Sequence, residues 1–205
     1  MSLTDASGRA HTITYADGSQ RFMVPYDDFD GISLIADRNA LLTRYRAHDL
    51  NLVSDNDIFT ASVAANPTKT LTKLANAHEV AAWGTQQAPG ACLAVLSFTP
   101  FTEEELADND IKSTLDAGCI TLTGELYVGA WHTFTYGADY AHGELACPRV
   151  TLPEGTYRVT VHRPFRKDEE RESLEGTTFL IHLERTDAEH VSAPVEEVPG
   201  ADGWL

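Results

Sequence analysis

The chain lacks the residues that most functional signatures require. Its three cysteines, Cys92, Cys119 and Cys147, are an odd number and include no Cys-x-x-Cys pair. A disulfide framework and a zinc site are therefore not expected. Basic residues are scarce: 15 Lys and Arg stand against 31 Asp and Glu, giving a formal net charge of −16. Nucleic-acid binding depends on cations displacing counterions from phosphates. No run of basic residues stands out: RPFRKDEERE (163–172) has four, but Asp168, Glu169, Glu170 and Glu172 sit among and after them. Neither nucleic acid nor an anionic membrane is the expected partner. No apolar run approaches the roughly 18 residues needed to span a bilayer. The opening residues, MSLTDASGRAHTITYADG, lack the basic start and apolar core of a secretory signal, so the expected location is cytoplasmic. Also missing are Gly-x-Ser-x-Gly, the phosphate-binding Gly-Lys-[Ser/Thr] loop and Gly-x-Gly-x-x-Gly, which lowers the expectation of an enzyme.

What is present is a chain of 205 residues, 42% apolar and 22% charged, the balance of an ordinary globular protein. That length buries enough surface to fold without a disulfide or metal. A single domain is expected over residues 1–190, followed by an acidic, Pro/Gly-containing tail over 191–205, mobile or loosely draped.

Strand signals dominate. Asp17-Gly18 in HTITYADGSQRFMV predicts a hairpin with a two-residue turn, placing Ile13 opposite Phe22 and Tyr15 opposite Gln20. GISLIA (31–36) reads as a strand, followed by a helix from about Asp37 to His48. A second helix is expected from Asn66 as N-cap to Gly84, and a third from a Thr102/Glu105 capping box to Gly118. ACLAVLSF (91–98) is a continuous apolar run suited to a buried strand. CITLTGELYVGAWHTFTY supplies one long strand, or two broken near Gly124, and Pro148 in ELACPRVTL marks an edge. LPEGTYRVTVHRPF and TTFLIHLER predict an antiparallel pair. Val159, Val161, Phe179, Ile181 and Leu183 would face the core, and Arg158, Thr160, His162, Thr178, His182 and Glu184 the solvent. The Pro-x-Gly-x-Tyr start of this pair resembles the turn-and-strand of many β-sandwich modules and singles out no family. The fold expected is mainly β, an antiparallel sandwich or jelly-roll-like domain with about three peripheral helices. The alternative is α+β, with helices on one face of an antiparallel sheet.

SDNDIF and ADNDIK resemble the start of a calcium loop, but the fifth positions are Phe59 and Lys112, where an oxygen ligand is required. His132, His142, His162 and His182 lie in the β half without a His-x-His pair. His162 and His182 are expected on one face, directly across or one pair off. No metal or cofactor is expected. Cys92, with Gln86 or Gln87 upstream, leads into an apolar strand and reads as an inert thiol. The stretch GAWHTFTYGADYAHG (129–143) packs aromatics and two histidines together. By strand parity His132 falls with Val128 and Phe134 on the core side, and Tyr127 and Trp131 on the other, flanking Gly129. The candidate contact patch is Tyr127 and Trp131 with the loop tip Asp139, Tyr140 and His142. The function expected is a binding or regulatory module contacting a protein with a basic surface, such as an inhibitor or immunity-type factor. The alternatives are an enzyme using His/Asp acid–base or metal chemistry around residues 132–142, and a small-ligand-binding β domain.

Overall fold

A computed structural model describes residues 11–15, 18–28, 31–40, 67–85, 90–130, 150–166, 169, 172–186, 196 and 198–199. In chain order these form strands β1 (His11–Thr14), β2 (Gln20–Asp28) and β3 (Ile32–Asp37), then helix α1 (Pro67–Asn76), β4 (Val80–Gly84) and β5 (Gly90–Ser97). Helix α2 (Glu103–Asp108) precedes β6 (Ser113–Leu122), β7 (Glu125–Ala130), β8 (Val150–Thr151), β9 (Gly155–Arg163) and β10 (Thr177–Thr186). The fold is mainly β with a few short helices. One sheet has six strands in the order β1-β2-β5-β10-β9-β6, the other four in the order β4-β3-β7-β8. The pairing of β5 with β10 is parallel; the others are antiparallel. Both sheets contribute to one core, with Val24, Leu96, Val161, Phe179 and Ile181 from the larger meeting Ile35, Trp83, Leu126 and Val128 from the smaller.

The expected β9–β10 pair is present with Val161 opposite Ile181 and Val159 opposite Leu183. All four carry at most 1% exposure. At the start of β9 the Tyr157 hydroxyl donates to the Pro153 carbonyl at 2.7 Å, so the Pro-x-Gly-x-Tyr pattern ties the incoming turn to the strand. The chain breaks after Leu122 and Gly124 (φ 129), and β6 and β7 enter different sheets. The expected β5 is there too, central in the larger sheet.

Three expectations change. The β1–β2 hairpin forms with Thr12 opposite Phe22 and Ile13 opposite Arg21, one residue away from the expected register. Tyr15 N–H donates to the Ser19 carbonyl and Gly18 N–H to Tyr15, so the loop holds three residues, with Gly18 at φ 83. A Gly in that conformation is what a three-residue hairpin loop with a bulge asks for. Helix α1 stops at Asn76 instead of reaching Gly84. His78 adopts φ 57, its N–H donating to Ala75 and that of Glu79 to Leu74. This double bond pattern ends the helix, and Val80–Gly84 continues as a strand. Helix α2 has the expected capping box, Thr102 with Glu105, but closes at Asn109, and β6 follows from Ser113. Of the helix expected from Asp37, residues 38–40 are helical, with Asp37 accepting from Ala40 N–H at 2.7 Å. The remainder, and Asn66 and Pro148, lie outside the described residues. In the C-terminal segment Val198 is buried and the Pro199 carbonyl accepts from Gly84 N–H at the end of β4. No helix among the described residues is long and apolar enough to cross a membrane.

Candidate protein-contact surface

Of the expected contact patch, Tyr127 on β7 is the member that falls among the described residues. Tyr127 has no exposed surface, which corrects its placement on a wet face. Every residue of β7 from Leu126 to Ala130 is buried, as are all of β3 and β4. The smaller sheet is therefore covered on both faces, and alternation along it does not separate core from solvent. Gly129 admits the close approach expected of it, and the occupant is internal: a methyl there would collide with the Tyr127 hydroxyl. Trp131, Asp139, Tyr140 and His142 lie outside the described residues, as do His132, Gln86 and Gln87.

The exposed face is that of the six-stranded sheet. Pairing aligns one row of side chains across all six strands: Ile13, Arg21, Ser97, His182, Thr160 and Asp116. The neighbouring row runs through Met23, Val95, Leu180, His162 and Thr114. His162 and His182 are thus one pair off, as expected. Ile13 and Tyr15, at 38% and 43% exposure, are the exposed large hydrophobics among the described residues. Met23, Pro25, Leu93 and Val95 extend an apolar, half-buried strip inward from them.

Arg21 organises the middle of this face. Its guanidinium lies 5.3 Å from the Tyr15 ring centre and 4.9 Å from that of Phe101. It donates to both Glu105 oxygens, to Ser97 Oγ at 2.6 Å and to Thr99 Oγ1 at 2.8 Å. Stacked between rings and fully bonded, Arg21 is 4% exposed and fixes Tyr15 and helix α2 against the sheet. Burial pushes the Glu105 carboxyl up, but the Thr102 N–H and Arg21 outweigh it and leave the group below its ordinary value. Phe101 meets the His162 ring edge-on at 5.8 Å. His162 Nδ1 lies 2.9 Å from Thr114 Oγ1. Burial first, and the charge of His182 second, hold His162 below the usual histidine value. Farther along, Arg158 pairs with Asp116, whose hydrogen bonds raise the guanidinium above its ordinary value.

This arrangement presents rings, apolar side chains and fixed charges. The hydrogen-bond partner of His162 is a threonine hydroxyl rather than a carboxylate. Cys92 and Cys119 are buried. Burial and the nearby Asp28 push the Cys92 thiol up to about 12, so its thiolate is strongly disfavoured. Among the described residues no three His, Cys, Asp or Glu side chains converge on a metal position. A groove of about 420 Å³ beside the ADNDIK turn is lined by Asp108, Asp110, Lys112, Glu169 and Glu175, and the Lys112 ammonium is 3.0 Å from Asp110. Sequence reasoning missed the Tyr15–Arg21–Phe101 stack. The signal was present in the hairpin pattern, but a register shifted by one residue placed Ile13 opposite Phe22 and hid Arg21 as its neighbour.

No protein-family model matches the chain, and no curated protein matches it. Among solved structures the chain is similar to the crystal structure of ComJ, inhibitor of the DNA degrading activity of NucA, from Bacillus subtilis. The identity is 9%, the likeness covers 86% of this chain and 100% of that one, and the TM-score is 0.39.

Proposed function

We propose that the chain is a protein-binding module, an inhibitor or immunity-type factor, that docks on a partner with a basic surface. The observation that carries the reading is the exposed Ile13 and Tyr15 on a face whose basic side chains, Arg21 and Arg158, are already paired with Glu105 and Asp116. Rigid aromatic and apolar side chains provide binding energy at a contact centre. An overall charge of −16 steers a basic partner toward that face and disfavours acidic competitors. Trp131, Asp139, Tyr140 and His142 are further candidates for the partner contact.

The test is capture of a partner from a native extract on the immobilised full chain, at low and at high salt, beside the double variant Ile13→Asp/Tyr15→Ser. The expected result is one specific partner, retained by the wild type, eluted by salt and lost in the variant. Capture that ignores both salt and the variant would overturn the reading, as would the absence of any specific partner.

A further inference from the structure

Among the described residues the two sheets end in four outer strands, and three of them are guarded. Strand β6 carries an irregularity between Asp116 and Cys119, and its Thr121 N–H is taken by the His78 carbonyl. Strand β4 gives its Gly84 N–H to Pro199, and β8 is only two residues long. Bulges, covering segments and shortness are the usual devices that keep sheet edges from pairing. Strand β1, with the sequence HTIT, has no proline, no Asp, Glu, Lys or Arg, and no bulge.

The register says which of its backbone groups are open. Tyr15 N–H bonds to Ser19, so Tyr15–Ser19 is a hydrogen-bonded pair. Pairs alternate along an antiparallel ladder, so Ile13–Arg21 is bonded as well, and Thr12–Phe22 and Thr14–Gln20 are not. The N–H and C=O groups of Thr12 and Thr14 therefore point away from β2. Residues 12–15 are all exposed.

We propose that the outer edge of β1 receives an extended, basic segment of the partner protein as a seventh strand of the large sheet. This rests on the protein-binding reading above and names how the partner is held. Main-chain bonds to Thr12 and Thr14 would fix the segment, and its alternate side chains would meet Ile13 and Tyr15. Charge selects the occupant. Glu103 and Glu104 are exposed on the first turn of α2, which Arg21 ties to Tyr15. A second copy of this chain would bring another charge of −16 to the same edge.

The test titrates the isotope-labelled full chain with a short peptide alternating lysine with valine, following amide shifts and hydrogen exchange. The expected result is protection of the Thr12 and Thr14 amides and no binding of the glutamate-for-lysine peptide. Thr12→Pro removes one open donor without touching the β2 ladder, since proline is tolerated where an edge N–H faces outward. It should keep the melting temperature and lower peptide affinity tenfold or more. Thr14→Lys should weaken binding and Thr14→Glu should not, which separates the edge from any folding defect. Unprotected Thr12 and Thr14 amides, or Thr12→Pro binding as tightly as wild type, would overturn the proposal. So would concentration-dependent protection without peptide, which would assign the edge to a second copy. A partner captured equally by wild type and Thr12→Pro, yet lost in Ile13→Asp/Tyr15→Ser, sinks the edge while leaving the protein-binding reading intact.

Discussion

Asp28 has no exposed surface, yet its carboxylate accepts from Gly31 N–H at 2.9 Å, Ser33 Oγ at 2.8 Å and Thr85 Oγ1 at 2.6 Å. It stands at the end of β2 and ties the large sheet to β3 and to the residue after β4. The Tyr26 hydroxyl, raised well above its ordinary value by burial, lies 2.8 Å from the same Ser33. Removing the carboxylate strands several buried donors, each of which costs about 1–3 kcal/mol when left unpaired. Asp28→Ala should therefore lower the unfolding free energy by about 3 kcal/mol, read from the midpoint of a urea titration. A loss below about 1 kcal/mol would show that the donors find other partners. His162 couples stability to pH. Its folded pKa lies below the ordinary 6.5, so the unfolded chain binds the proton more readily. This contribution is fully present above 6.5 and is lost as pH falls through 6.5 toward the lowered folded value. Relative to His162→Gln, the wild type should lose stability over that interval. Parallel pH profiles of the two proteins would contradict it.

The end of helix α1 shows what a local change does to a whole element. His78 holds φ 57, a conformation that costs a non-glycine residue about 1–2 kcal/mol. Its Nδ1 is buried without a hydrogen-bond partner. His78→Gly relieves both and gives back part of the gain as unfolded-chain entropy. A net rise of about 0.5–1 kcal/mol in unfolding free energy is expected, and a fall would mean that the imidazole contributes packing. The same element explains what could be read from the sequence. Strand β9 was legible because polar and apolar residues alternate along it between a wet face and the core, and β10 keeps that alternation except at the buried Leu180. In HEVAAWG the alternation disappears, because all of Val80–Gly84 is buried. An alanine-rich run of that kind fits a helical stripe as well as a strand, and only the turn at His78 decides. Parity correctly paired Tyr127 with Gly129, but it cannot say which side is wet when both sides are covered. The hairpin register was open for a related reason: Asp-Gly is compatible with loops of two or three residues, and packing of Arg21 between Tyr15 and Phe101 accompanies the longer one.

At the scale of the whole molecule, the charge of −16 acts on folding and on binding with opposite signs. Like charges spread over a compact surface repel one another and destabilise the folded chain, and salt relieves that repulsion. The Debye length shrinks from about 30 Å at 0.01 M to about 8 Å at 0.15 M, so most of the relief comes within this range. The free chain should therefore melt at a higher temperature as salt is added. The ion pairs of Arg21 and Arg38 are 3.1 and 3.2 Å long with the arginines 5% and 8% exposed, so screening weakens them little and does not reverse the trend. A complex with a basic partner follows the other sign, because the attraction that salt screens lies between the two proteins. Measured on one preparation, melting temperature and partner affinity should move apart as salt rises. If affinity instead held steady while the melting temperature climbed, the contact would rest on Ile13, Tyr15 and the open edge of β1, and the acidic surface would serve solubility alone.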